Sequence, residues 1–167
     1  FLDLTFTANP RHAQAVCREM IQRELGIKWW CESRANIPLE LLDIMKAAGC
    51  VALAVGVESG SPRVLSKISK GITTDMVLAF CQKCLHLGIH VEPYFMFSHP
   101  GETIEDVHQT LNLIYELEKR NAHCSFQPTM IFPGTEIEKI AQARGKLPDG
   151  FSWSEPYHSD LNMELGQ

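Results

Sequence analysis

Residues 50–58 read Cys-Val-Ala-Leu-Ala-Val-Gly-Val-Glu, a nearly continuous apolar run that closes on a carboxylate. A strand with one face in water alternates apolar and polar residues, whereas a run without alternation belongs to a parallel strand covered on both faces. Parallel neighbours are joined by crossovers, normally helices, so this segment points to an α/β chain. Glu58 adds a second constraint. A carboxylate at the end of such a strand is costly to desolvate unless a cation or a hydrogen-bond donor meets it. Arg34 and Lys70 are the candidate partners for a structural ion pair at the mouth of the sheet.

The flanking sequence repeats the unit. Asn9-Pro10 reads as a cap and first helical residue, and Ala13, Val16, Cys17, Met20, Ile21 and Leu25 follow at helical spacing before Gly26. Residues 27–33 read as a strand, and a helix follows Ile37-Pro38 through Leu41, Leu42, Met45 and Ala48 to Gly49. After the apolar run, Gly60-Ser61-Pro62 opens a short helical piece. A longer helix from Thr74-Asp75 carries Val77, Phe80, Cys81, Cys84 and Leu85 on one stripe, and Ile89 to Phe97 is the next strand. Thr103 with Asp106 resembles a capping box ahead of Ile104, Val107, Leu111, Ile114 and Leu117. Cys124 to Ile131 reads as another strand, followed by the turn Pro133-Gly134-Thr135 and a helix to Arg144. The opening segment Phe1 to Phe6 also reads as a strand, while residues 147–167 show no period and read as an irregular extension of a domain spanning 1–146.

Five strands, each followed by a helix at intervals of about 30 residues, give an α/β protein with a parallel sheet. Two architectures fit: a doubly wound sheet that reverses at a switch point, and a barrel-type sheet that winds one way. An eight-stranded barrel needs roughly 250 residues, so a barrel reading of this chain is a partial one. In both, function sits where strands end. Those positions are polar: Asp3 and Thr5; Glu32, Ser33 and Arg34; Glu58 and Ser59; Tyr94, Ser98 and His99; Gln127 and Thr129.

Other chemistry is weakly supported. Cys81-x-x-Cys84 is half a metal site without a second pair, and both residues lie on the apolar stripe of their helix, which favours packing. His86 and His90 have helical ligand spacing, but Gly88 between them ends the helix. Neither phosphate-loop pattern is present around Gly56 to Ser61, and Ser98-His99 or Cys31 does not make a triad. Fifteen Lys and Arg against 20 Asp and Glu give a formal charge of −5, so no basic surplus favours nucleic acid or anionic membrane. No apolar stretch approaches the roughly 20 residues of a membrane span, and the opening FLDLTFTANP has neither the basic n-region nor the long apolar h-region of a secretory signal. The expected location is cytoplasmic, with reduced thiols.

The ordered segments IKWWCESRAN, AAGCVALAVGVESGSPRVLSKISKGIT, HLGIHVEPYFMFSHPGETIED and MIFPGTEI resemble the radical S-adenosylmethionine superfamily, nearest to the subgroup that pairs the radical domain with a cobalamin-binding domain. That subgroup includes anaerobic porphyrin-ester cyclase-like and methyltransferase-like members. The resemblance implies a partial TIM-type (βα) barrel, here about five parallel βα units of a six-unit core, and reductive cleavage of S-adenosylmethionine by a [4Fe-4S] cluster to a deoxyadenosyl radical. It assigns Glu32 to the methionine ammonium, Lys70 to its carboxylate with Arg34 nearby, Glu58 and Ser59 to the ribose or amino-acid end, Tyr94 to a ribose position and Gln127 to the adenine side.

This sequence departs from the family pattern in places. The CxxxCxxC loop and the Gly-rich stretch of relatives are absent, Asp3-Leu4 stands where two acidic residues are common, and Ser98-His99 replaces Gly-Leu before Pro100-Gly101-Glu102-Thr103. The chain therefore reads as a fragment of such an enzyme with a small-molecule substrate, no metal ligands or catalytic residues of its own, and cobalamin possible from a missing N-terminal domain. No bound cofactor is expected on the fragment. The alternatives are a naturally truncated, non-catalytic barrel used for binding or assembly, and an acid/base enzyme using Glu32 and Glu58. If Phe1 to Phe6 is an unpaired strand, its edge favours self-association.

Overall fold

The computed structural model describes residues 1–147 and 151–153. Its strands are β1 (Trp29–Ser33), β2 (Cys50–Glu58), β3 (His90–Phe97) and β4 (Ser125–Pro128). The helices are α1 (Pro10–Gln22), α2 (Glu40–Ala47), α3 (Pro62–Lys67), α4 (Thr74–His86), α5 (Ile104–Glu118) and α6 (Glu136–Ala143). All neighbouring strands pair in parallel, in the order β1-β2-β3-β4.

That sequential order decides between the two architectures. Each strand lies beside its predecessor, so right-handed crossovers bring every connecting helix to the same face, and the reversal of a doubly wound sheet is absent among the described strands. Burial agrees. Leu53, Val55 and Val57 of β2 join Leu42, Met45, Val77, Phe80 and Cys84 of the helices in one core, while Ala52, Ala54 and Gly56 on the opposite face are half-buried. The winding is that of a partial barrel.

Local chemistry sets the helix ends. The Asn9 side chain accepts from His12 N with Pro10 at the first helical position, and Ser61, Thr73 and Thr135 cap their helices in the same manner. Thr103 and Asp106 complete a reciprocal capping box at α5. Asp serves in place of Glu because it also faces the loop after β2.

Two strand expectations need correction. Phe1 to Phe6 is not a strand: the chain turns at Leu4-Thr5 into a 3₁₀ turn over Phe6–Ala8, leaving Leu2 and Leu4 exposed. Phe6 instead packs with Phe1 and Trp29, ring centroids 4.6 to 5.4 Å apart. One bond, from the Phe1 ammonium to Trp30 O at 2.9 Å, stands in place of a ladder, so among the described strands β1 forms the sheet edge. The expected strand 124–131 shortens to Ser125–Pro128, because after Pro128 only Thr129 N still reaches β3, at Phe97 O (2.7 Å). Within the expected extension, Leu147 and Trp153 pack with Ile131, Ile137 and Ala141 of the α6 region; 148–150 and 154–167 lie outside the described residues. Among the described residues no helix is long and apolar enough to cross a membrane.

Candidate functional site

Register places the polar residues of the open face in rows, since Cα partners in adjacent strands share a face. Glu32 pairs with Ala54 and Ala54 with Glu92; one level up, Gly56 pairs with Tyr94 and Tyr94 with Ser125; above that, Met96 pairs with Gln127. The central strand contributes only small side chains here. Glu32, Tyr94 and Gln127 consequently stand exposed around a shallow floor.

Glu58 reaches this face by an irregular route. The β2–β3 register shifts between Gly56 and Glu58, and Glu58 takes a left-handed φ of 72°. A bulge of this kind re-aims a side chain at a strand end. The carboxylate turns back over Gly56, where Lys70 Nζ meets Oε1 at 2.7 Å, with side chains 19% and 18% exposed. A pair this enclosed is much less screened than a surface one. Gly56 is essential to the arrangement: a Cβ there would stand 2.6 Å from Glu58 Oε1 and 3.0 Å from Lys70 Nζ. Of the two candidate partners for Glu58, Lys70 forms the pair. Arg34 donates to the Lys70 backbone carbonyl at 2.8 Å and so ties the loop after β1 to the loop after α3.

Ser59 is placed differently from the other sequence-predicted residues. It is fully buried, its hydroxyl lies 3.0 Å from Thr110 Oγ1 and accepts from Ser61 N, and it anchors the loop after β2 to α5. Sequence reasoning missed Glu92, whose Oε1 accepts from Ser125 Oγ at 2.6 Å. The alternation His90, Glu92, Tyr94 in β3 was the available signal. Burial, then the charge of Glu92 and a hydrogen bond to it, then the charge of Glu32, push the Tyr94 phenol up from its ordinary pKa, so it remains a donor.

Asp106 supports the site from behind. Its Oδ1 accepts from Ser61 Oγ (2.6 Å) and Arg63 Nε (3.2 Å), and its Oδ2 accepts from Arg63 Nη2, Thr103 N and Thr103 Oγ1. These bonds, with Arg63 first and Ser61 and Thr103 after it, hold the carboxyl far below the usual range against the opposing effect of burial. One carboxylate thus joins the loops after β2 and β3.

The residues fit a zwitterion: Glu32 is an anion and Lys70 a cation on one face, with Gly56 leaving room between strands. They do not fit an iron–sulfur cluster. Burial raises the thiols of Cys17 to about 11 and of Cys50, Cys81 and Cys124 to about 12, and those of Cys31 and Cys84 higher still, whereas cluster ligands are thiolates. Among the described residues no three His, Cys, Asp or Glu side chains are grouped to hold a metal ion.

A parallel α/β sheet wound one way, with polar residues gathered at its strand ends, defines a partial barrel. The comparisons agree: residues 1–114 match the radical SAM superfamily, and the chain belongs to that family. It is 34% identical over 148 residues to an uncharacterized methyltransferase of Pyrococcus horikoshii, covering 88% of this chain and 32% of that protein. It is 27% identical over 100 residues to the anaerobic magnesium-protoporphyrin IX monomethyl ester cyclase of Rubrivivax gelatinosus, covering 58% and 18%. The chain therefore spans a third or less of these relatives. The radical S-adenosylmethionine methyltransferase TsrM of Kitasatospora setae, solved with tryptophan substrate and a SAM analogue, superposes with a TM-score of 0.76 at 24% identity over 85% of this chain and 29% of that one. This last likeness is one of fold. The family's cofactors are S-adenosylmethionine and a [4Fe-4S] cluster, and TsrM has also been solved with cobalamin and the cluster.

Proposed function

We propose that the open face around Gly56 binds S-adenosylmethionine and that the intact protein is a radical enzyme acting by methyl transfer. Glu32 takes the methionine ammonium and Lys70 its carboxylate. Glu58 and Tyr94 meet the ribose, and Gln127 borders the adenine. Arg34 and Ser59 act one step back, fixing the loops that carry Lys70 and Glu58. The observation that carries this reading is the Lys70–Glu58 pair across Gly56. An ammonium has three donors and Glu58 engages one, which leaves Lys70 able to hold a ligand carboxylate in an enclosed setting. S-adenosylmethionine held here by Glu32 and Lys70 would supply a deoxyadenosyl radical, with methionine as the other product, on taking one electron from the family's [4Fe-4S] cluster, which the described residues of this chain do not themselves hold.

Methyl transfer is favoured over cyclisation because the P. horikoshii methyltransferase matches more of the chain at higher identity than the cyclase does. Cobalamin use belongs to the same proposal. Isothermal titration of the 167-residue chain with S-adenosylmethionine tests the binding step: saturable binding is expected, weakened at least about tenfold by Lys70→Met or Glu32→Gln. No binding, or binding indifferent to both changes, sinks it. Transfer of a deuterated methyl group by the intact protein tests the reaction class.

A further inference from the structure

Glu92 is a carboxylate of the open face with no part in the contacts proposed above. It is half-buried, and among the described residues no cation pairs with it. An anion partly withdrawn from water without a cation must be met by neutral donors. Ser125 supplies one, its Oγ donating to Glu92 Oε1 at 2.6 Å.

That bond also aims the carboxylate. Glu92 stands level with Ala54, whereas Ser125 is the register partner of Tyr94, one level up the sheet. Residues two apart on a strand share a face at a spacing of about 6.6 Å, so a Glu92 side chain that reaches Ser125 has leaned along β3 to the level of Tyr94. The phenol is the second donor within its reach. Burial first, then the charge of Glu92 and a hydrogen bond to it, then the charge of Glu32 on β1, push the Tyr94 phenol up from its ordinary pKa, so it keeps its proton through the neutral range. His90, beside Ala52, and the Lys70–Glu58 pair over Gly56 also border this face.

We infer that Glu92 is a positioning residue: it accepts the Tyr94 O–H, so that the phenol oxygen turns its lone pairs to the ligand and accepts from a ribose hydroxyl. An ionised carboxylate has no proton to give, which fixes the direction of the Tyr94–Glu92 bond, and a phenol has a single O–H, which leaves Tyr94 nothing further to donate. The bonds then run in one sense, from ribose hydroxyl to Tyr94 to Glu92, each polarising the next. A carboxylate at position 94 would accept as well, but it would set a third anion beside Glu32 and Glu92. The phenol passes on the acceptor character of Glu92 without its charge. The identity of the ligand rests on the S-adenosylmethionine reading; the direction of the Tyr94–Glu92 bond does not.

The first measurement needs no ligand. Phenolate absorbance is followed against pH, and the titration that Tyr94→Phe removes is that of Tyr94; in Glu92→Gln it should move to lower pH than in wild type. The second is isothermal titration of the 167-residue chain with S-adenosylmethionine and with its 2′-deoxy and 3′-deoxy analogues. Wild type should bind S-adenosylmethionine at least about tenfold more tightly than one of the two, the effect of one hydrogen bond. In Glu92→Gln the amide oxygen keeps the Ser125 bond and the amide NH₂ turns to Tyr94 as a donor, which reverses the phenol. That preference should then fall below about threefold with an unchanged urea midpoint. Tyr94→Phe, a change at an exposed side chain, should lose the preference too. An unshifted phenol, no preference in wild type, or a preference kept by either variant overturns the inference. Any of these with intact S-adenosylmethionine binding leaves the cofactor reading standing, whereas a shifted phenol without S-adenosylmethionine binding removes that reading and, with it, the ribose as the partner of Tyr94.

Discussion

Asp106→Asn removes one charge from the point where two functional loops are joined. The carboxylate is 3% exposed and accepts from Ser61, Arg63 and Thr103. Hydrogen bonds to a charged group contribute about 1.5–3 kcal/mol each, and a lost cap costs about 1 kcal/mol. The asparagine keeps one acceptor and Arg63 is free to turn to water, so the net loss is set near 3 kcal/mol rather than the full sum. For a chain of this size that lowers Tm by about 6–12 °C. The pH dependence has a definite sign. The folded carboxyl titrates far below its unfolded value of about 3.9, so its stabilisation is complete above that value and is lost as pH falls through the folded one. Urea denaturation followed by circular dichroism should give a constant gap between wild type and Asp106→Asn from about pH 6 to 8, narrowing below about pH 5. A variant within about 0.5 kcal/mol of wild type at pH 7, or a gap that persists unchanged to pH 3, refutes the account.

Gly56→Ala should displace the Lys70–Glu58 pair while lowering stability by less than about 1 kcal/mol, because its Cβ meets the far ends of two flexible side chains. Its signature is weaker S-adenosylmethionine binding with a nearly unchanged urea midpoint. The native chain should show no fast reaction with a disulfide reagent at pH 8, since burial keeps its thiols protonated, and half-buried Cys124 should react ahead of the other five. Phe6→Ala should cost about 3 kcal/mol and alter Trp29 fluorescence, whereas Leu4→Ser should lie within about 0.5 kcal/mol of wild type. A large effect of Leu4→Ser in the same denaturation assay would restore the strand reading of the first six residues.

How much of this was legible in the sequence depends on whether the deciding contact was local. Caps at Asn9 and Thr103 lie within three or four residues of what they bond, and the helices begin where those residues indicate. The ends of β2 and β3 were equally readable, because polar residues after apolar runs mark the rim of any parallel sheet. Phe1 to Phe6 shows the limit. Its composition reports that apolar surface will be buried, which Phe6 achieves against Trp29, but a strand also needs a backbone edge to pair with, and that is settled by residues far along the chain. Ser59 failed as a rim residue for the same reason: its partner Thr110 is 51 positions away.

The apolar run at 50–58 contains a further signal that hydrophobicity alone does not separate. Its large residues, Leu53, Val55 and Val57, face the helices, and its small ones, Ala52, Ala54 and Gly56, face the open side. Both sets are apolar, so the run looks uniformly buried, yet side-chain size alternates with the strand's period of two. A strand packed between two helix layers would fill both faces with large aliphatics, because voids in a core are destabilising. Smallness confined to one face marks the side that no helix among the described residues fills. Gly56 takes this furthest: the missing Cβ is where Glu58 and Lys70 meet, so the least conspicuous position of the run permits its only charged residue to be neutralised.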